Sequence, residues 1–188
     1  MGYGSGKLYI MRHGKTEWNA ERKLQGRTDI PLNAEGRQMA RSAAKECADI
    51  PFDICFCSPL IRARQTAEIA LEGRGVPIIC DERLTEMGFG KYEGAPSGLV
   101  SPQGALKELF EAPSKYVPDG GAESLDSLFG RTGEFLNSEV LPRVKLGQSV
   151  LIVGHGAMNS SIICRIRDIP REKFWTALTD NCTLTRLI

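Results

Sequence analysis

With 188 residues, 24 basic and 23 acidic side chains and a net charge of +1, the chain has no charge excess with which to track a nucleic acid or another polyanion. Its 41% apolar and 25% charged residues are ordinary for one globular domain, long enough to bury about 70% of its unfolded surface without staples. No apolar stretch approaches the roughly 18 residues of a membrane span, and no signal-peptide pattern opens the sequence.

Residues 1–6 are glycine-rich and precede Lys7. The spacing is wrong for a phosphate loop and no strand comes before it, so a loose tail is expected. Leu8 to Met11 reads as a first strand, ending in Arg12-His13-Gly14. A long polar segment follows, from Lys15 to Arg27, and its length beside His13 marks it as a binding loop. Asn33 is an expected N-cap, followed by an apolar helical stripe of Ala40, Ala43, Ala44, Cys47 and Ala48.

Phe52 to Cys57 is the second expected strand, and Ser58-Pro59 the cap and first turn of a helix from Leu60 to Leu71. Arg62 stands near that helix N-terminus, where free N–H groups and an arginine fork suit an anion. Val76 to Cys80 is a third strand, followed by a turn-rich loop in which Glu86 lies among apolar and glycine neighbours, a setting suited to a general acid. Residues 94–121 carry four prolines and one short helix near Ala105 to Glu111; they read as an excursion covering an active site.

A long helix opens at Ser124 or Glu123, with Leu125, Leu128, Phe129, Phe135, Leu136 and Val140 as its buried stripe. Gly130 and Gly133 weaken it by about 1 kcal/mol each where exposed, and Pro142 loosens its end. Val150 to Val153 is another apolar strand, ending in Gly154-His155-Gly156; a helix from Ala157 to Ile166 follows. Pro170-Arg171-Glu172 starts a short helix, and Thr183 to Leu187 alternates as an edge strand does. Strands alternating with helices predict an α/β three-layer sandwich: a mostly parallel central sheet, one antiparallel edge strand and helices on both faces.

The chain holds only two histidines, each closing an apolar run and preceding a glycine. Parallel sheets bind ligands beyond the carboxyl ends of their strands, so the pattern predicts two imidazoles in one catalytic crevice. The six cysteines (Cys47, Cys55, Cys57, Cys80, Cys164 and Cys182) form no C-x-x-C pair, which argues against zinc. They read as reduced thiols, mostly buried, in a cytoplasmic protein.

Arg12-His13-Gly14-Lys15-Thr16-Glu17-Trp18-Asn19, Gln25-Gly26-Arg27-Thr28-Asp29-Ile30-Pro31-Leu32, Ser58-Pro59-Leu60-Ile61-Arg62-Ala63 and Phe89-Gly90-Lys91-Tyr92-Glu93-Gly94, with Glu86 and His155-Gly156, together resemble the histidine phosphatase superfamily in its phosphoglycerate-mutase-like branch. The resemblance implies that His13 becomes a phosphohistidine while Arg12, Arg62 and His155 cradle the phosphoryl oxygens. It implies that Glu86 protonates the leaving alcohol and then activates water, and that Asn19 completes the pocket with Thr16, Gln25 and Gly26 at its rim. It implies no metal and no cofactor. Mutases of this branch carry an arginine after the acid glutamate; here Met87 follows Glu86, and the excursion has only Lys107 and Lys115 as basic residues. The expected activity is therefore hydrolysis of a small phosphorylated metabolite, with a mutase or a catalytically silent binding module as alternatives. The family's Gly-Gly-Glu-Ser is here Gly120-Gly121-Ala122-Glu123-Ser124, with Ala122 inserted. The Thr183 to Leu187 edge leaves monomer and dimer both open.

Overall fold

A computed structural model describes residues 6–96 and 105–188. The first five tail residues and positions 97–104 of the expected excursion lie outside the described residues. Among the described residues five strands make one sheet: β1 (Lys7–Arg12), β2 (Ile54–Cys57), β3 (Ile78–Cys80), β4 (Ser149–Gly154) and β5 (Leu184–Arg186). Their order is β3-β2-β4-β1-β5. The first four run parallel, and β5 pairs antiparallel with β1 at the edge.

All six residues of β4 are buried, as are four of the six in β1, because helices cover both faces of the sheet. On one face Leu8, Ile10, Ile54, Phe56, Val150 and Ile152 pack against the helices α5 (Leu125–Phe135), α6 (Leu141–Lys145) and α7 (Gly156–Arg167). On the other, Tyr9, Met11, Cys55, Cys57, Leu151 and Val153 meet α2 (Ala34–Cys47) and α3 (Ile61–Ala70). Those two helices turn Ala40, Ala43, Ala63 and Ala67 inward, so their backbones lie close to the sheet. Two short helices complete the set, α1 (Glu17–Ala20) and α4 (Ala105–Glu111). No helix among the described residues is long and apolar enough to cross a membrane.

Two helix boundaries differ from the sequence reading. Helix α3 starts at Ile61, and its N-cap is Leu60, which has no side-chain oxygen to offer. The Ser58 N–H still bonds the carbonyl of Val153 at 3.1 Å, so the chain is committed to the sheet at the expected cap and the helix starts two residues later than expected. The missing cap comes from far away: Asp29 Oδ1 accepts from the Ile61 N–H at 2.7 Å. The second difference is near Pro142, expected to loosen the helix's end: the irregularity lies before it, and the helix runs on to Lys145. The five residues Leu136–Val140 form a π turn, and Pro142 then sits in the first turn of α6. The wider turn accommodates a ring that has no N–H to donate and would collide with the preceding turn.

Gly130 and Gly133 divide by burial. Gly130 is exposed with open space around it, whereas a Cβ on Gly133 would fall 2.4 Å from the Arg165 guanidinium. Gly130→Ala is therefore expected to stabilise the protein by about 0.5–1 kcal/mol. Gly133→Ala is expected to gain less, because it displaces Arg165 from its 3.2 Å bond to the Phe129 carbonyl. Urea midpoints of the two variants check the order.

Candidate active site

The sheet order makes the site. β1 and β4 are neighbours, with Arg12 in register with Gly154, so the two residues that follow, His13 and His155, emerge side by side. Their ring centroids are 5.2 Å apart. β2 flanks β4 on its other side, and the chain leaving it carries Arg62 into the same crevice on the first turn of α3. Three adjacent strand ends thus deliver Arg12, His13, Arg62 and His155.

His13 is held in one tautomer. Its Nδ1 lies 2.7 Å from the Gly14 carbonyl, which can only accept, so Nδ1 carries the proton and Nε2 keeps its lone pair. Burial holds its pKa well below the ordinary histidine value, with the Arg62 and Arg12 charges adding to the effect. The Gly14 backbone is fixed in turn, its N–H donating to Thr66 Oγ1 at 3.0 Å. Gly14 itself answers to packing: a Cβ there would lie 2.5 Å from the Gly36 carbonyl of α2. The Asn181 amide donates to the His13 carbonyl at 2.7 Å. His155 is fully buried, and neither of its ring nitrogens has a partner among the described residues. Burial, then Arg62, His13, Arg12 and Arg131, lowers its pKa in the same direction. Both imidazoles are expected to stay neutral at about pH 6. Two-bond ¹H–¹⁵N spectra in phosphate-free buffer test this on only two spin systems. His13 is expected to show the Nδ1–H pattern, and a titration midpoint near the free-histidine value would contradict it.

The arginines are oriented by backbone carbonyls. Arg12 Nη1 donates to Thr179 at 3.0 Å. Arg62, with no exposed surface, donates through Nη1 to Thr28 at 2.9 Å and through Nη2 to Gly26 at 2.7 Å. Burial lowers the Arg62 pKa to about 10, against the pull of Glu86, Asp29 and Glu93, which leaves it charged at neutral pH. The Nε atoms of both arginines are buried with no partner among the described residues. Buried donors left unsatisfied by the protein are costly, and an oxyanion with several acceptor oxygens suits them.

The loop that grips Arg62 is organised by Glu93. Its Oε1 accepts from the Arg27 and Phe89 N–H groups at 3.0 and 3.1 Å, and its Oε2 from the Thr28 N–H at 2.9 Å. Gly26 adopts φ +55 there, and a Cβ on it would fall 2.1 Å from Glu93 Oε1. Asn19 and Gln25 line the cleft. Thr16 lies behind them, fully buried: its hydroxyl donates to Gln25 Oε1 at 2.8 Å, and its N–H bonds Asn19 Oδ1 at 3.1 Å. The structure therefore gives Thr16 a positioning place, not the rim position expected for it.

Glu86 also differs from its expected apolar setting. Its carboxylate sits at the N-terminus of α7, accepting from Met158 N–H at 2.9 Å, Met87 N–H at 2.8 Å and Ala157 N–H at 3.2 Å. The backbone behind it is held by Arg131, whose guanidinium donates to the carbonyls of Arg83, Thr85 and Glu86. Arg131 is paired with the buried Glu123 at 2.8 Å. The Glu123 N–H also bonds the Gly88 carbonyl at 2.8 Å, so the segment with the inserted Ala122 rejoins the core beside the acid loop.

Arg12, His13, Asn19, Gln25, Gly26, Arg62 and Glu86 line a cleft of about 250 Å³, while His155, fully buried beside His13, is not among its lining residues. Sequence reasoning missed part of its wall: Lys23, Leu24, Phe89, Phe110, Trp175 and Leu178. A patch of unpaired aromatic and apolar residues in the expected binding loops and the short C-terminal helix was the available signal. Which of them face one cleft has no signature along the chain.

The description that matches residues 8–188 is the histidine phosphatase superfamily (branch 1). The chain is 33% identical over 178 residues to uncharacterized phosphatase PhoE of Bacillus subtilis, covering 92% of this chain and 83% of that one. It is 34% identical over 185 residues to probable phosphoglycerate mutase GpmB of Serratia proteamaculans, covering 96% and 84%. The solved structure of Bacillus stearothermophilus YhfR superposes with a TM-score of 0.87 at 32% identity, covering 96% of this chain and 90% of that one. A match over nearly the whole sequence, together with two histidines and two arginines at three adjacent strand ends, means that the chain belongs to the histidine phosphatase superfamily.

Proposed function

We propose that this chain, a phosphatase of the histidine phosphatase type, hydrolyses phosphomonoesters through a phosphohistidine on His13. The observation that carries the mechanism is the Nδ1 bond to Gly14, which leaves Nε2 as the one nucleophilic nitrogen beside two arginines and His155. Nε2 attacks phosphorus as the bond to the alcohol oxygen breaks. Arg12, Arg62 and His155 hold the phosphoryl oxygens, whose charge spreads in the transition state. Asn19 and Gln25 line the phosphate side with the Gly26 backbone. Glu86, the acidic side chain among the described residues lining the cleft, gives the proton of its carboxyl group to the leaving oxygen and is left as the carboxylate. It then takes a proton from the water that cleaves the phosphohistidine, which releases phosphate and restores His13.

Water is the favoured acceptor over a second alcohol. Apart from Arg12 and Arg62, the cation among the described lining residues is Lys23, and its Nζ is paired with Glu21 at 2.6 Å. A mutase has to hold a doubly charged substrate while it turns over in the site. The chemistry of His13 needs no metal. Among the described residues no group of three or more His, Cys, Asp or Glu side chains is placed to hold one. We read the substrate as a small phosphorylated metabolite, the setting as cytoplasmic and the protein as a monomer or dimer with neither nucleic acid nor membrane as partner. The six free thiols and the net charge of +1 support that setting.

Two assays test the reading. Hydrolysis of an aryl phosphate is expected to persist with a chelator present. Glu86→Gln is expected to slow cleavage of poorly acidic alcohols by about 10²–10⁴-fold, and of p-nitrophenyl phosphate much less, when the phosphorylation step is followed by stopped flow. Equal slowing across leaving groups would remove Glu86 from the acid role.

A further inference from the structure

We infer that Cys57 and Cys80 form a redox site: a peroxide oxidises the exposed Cys80, and the buried Cys57 closes a disulfide onto it, tying together the two strand ends that lead to Arg62 and Glu86. Both thiols are free in this structure. They lie in register on the adjacent parallel strands β2 and β3, and their sulfurs are 3.5 Å apart. Neighbouring strands run about 4.8 Å apart, within the roughly 4.4–6.8 Å between Cα atoms that a disulfide spans. Reaching an S–S bond of about 2.05 Å therefore takes side-chain rotation and a small approach of one strand. β3 is able to make that approach. It is three residues long and stands at the end of the sheet order, with Ile79 and Cys80 exposed.

The two thiols divide the work. Cys80 faces solvent and meets the oxidant first. Its sulfur attacks one peroxide oxygen as the O–O bond breaks, which leaves S–OH on Cys80 and releases water. The Cys57 sulfur then attacks the Cys80 sulfur. The S–S bond forms, the S–O bond breaks, and the hydroxyl leaves as water with the Cys57 proton. Two thiols are oxidised and one peroxide is reduced to water; a dithiol reverses the change. Burial, then the hydrogen bond to Cys80, pushes the Cys57 thiol well up, so it holds its proton until that step. A protonated thiol is a poor nucleophile, but here the attack is intramolecular, between sulfurs already in contact. The bond also reaches the acid loop. The Asp81 N–H donates to the Cys57 carbonyl at 3.0 Å, and the Asp81 carboxylate pairs with Arg83 at 2.7 Å. Arg131 holds the carbonyls of Arg83, Thr85 and Glu86 together, so a shift of Cys80 passes along this chain to Glu86.

Peptide mass spectrometry reads the site without any turnover. The protein is treated with hydrogen peroxide, unfolded, capped with N-ethylmaleimide and mapped with and without dithiothreitol. A disulfide joining Cys57 and Cys80 is expected, and none in the Cys80→Ser protein, whose substitution is at an exposed position. Cys57→Ala is expected to leave Cys80 as a sulfenic acid that dimedone captures. Both thiols capped after peroxide, Cys80 driven to sulfinic acid beside a capped Cys57, or Cys80 joined to another cysteine would each overturn the redox site. The effect on rate rests on the hydrolase reading and is measured separately. Hydrolysis of an alkyl phosphate is expected to fall about threefold or more as the bond forms and to return with dithiothreitol, whereas the Cys80→Ser protein keeps its rate in peroxide. A disulfide that leaves the rate unchanged would overturn the link to the acid loop. A disulfide in a protein that hydrolyses no ester even when reduced would support the redox site and remove the hydrolase reading instead.

Discussion

His13→Ala is expected to abolish turnover, with kcat falling by about 10⁵–10⁶-fold, the scale seen when a covalent nucleophile is deleted. Among the described residues the ring makes one hydrogen bond, to the adjacent carbonyl, so its removal is expected to leave the sheet and its helices in place. The decisive observation is the label. A phosphorylated ester mixed with the unaltered protein and quenched without acid, which would hydrolyse the P–N bond, is expected to leave phosphate on the peptide carrying His13. His13→Ala is expected to show none. A Glu86→Gln protein given p-nitrophenyl phosphate, whose leaving group needs little help from an acid, is still phosphorylated but is impaired in activating water, so it is expected to accumulate the label. Turnover with no label on His13 even in that variant would mean direct attack by water and would end the covalent mechanism.

Arg62→Ala is expected to cost about 10²–10³-fold in kcat/KM, the effect of deleting one donor that meets transition-state charge. Stability falls as well. The carbonyls of Gly26 and Thr28 lose the two nitrogens they accept from, and a buried acceptor without a donor costs about 1–3 kcal/mol. Relief from burying the guanidinium charge beside Arg12 offsets part of that, so activity is expected to suffer far more than folding. Arg62→Lys distinguishes charge from shape. Lysine keeps the charge on one nitrogen, which cannot grip two carbonyls and a phosphate together. Most of the loss is therefore expected to remain. Recovery to near the unaltered rate with lysine would show that Arg62 acts as a point charge. Vanadate affinity, measured alongside, reports the phosphate pocket without the chemistry.

The legible parts of this protein were those with a local cause. Leu8 to Met11 and Val150 to Val153 are buried on both faces, so each reads as an unbroken apolar run, and each run ends in histidine and glycine. That was enough to expect a parallel sheet and two imidazoles at its carboxyl edge. Asn33 caps α2 and Ser124 caps α5 as their side-chain oxygens require. The antiparallel edge strand near Thr183 to Leu187 was visible as alternation, and the structure places it at Leu184–Arg186.

Other features depended on the tertiary structure. Ser58-Pro59 looked like a cap, but the sheet holds Ser58, and Asp29, 32 residues away, caps α3 instead. Glu86 looked like a carboxylate in an apolar loop; the N-terminus of α7, reached from 71 residues further along, surrounds it with N–H donors. Glu93, Arg131 and Trp175 carried no signal of their place beside the site, because Glu93 accepts from the N–H groups of Arg27 and Thr28, Arg131 donates to the carbonyls of Arg83, Thr85 and Glu86, and Trp175 meets the Leu109 carbonyl and the Phe110 ring, all distant in the chain. The sequence by itself determined which strands are buried, where two histidines must emerge and that arginine accompanies them, since burial and strand ends follow from neighbours in the chain. The sheet order β3-β2-β4-β1-β5 decided that those histidines emerge side by side, and contacts between distant segments decided which carbonyls hold the arginines and which apolar side chains line the cleft. Those contacts join residues tens of positions apart, and local periodicity carries no record of them.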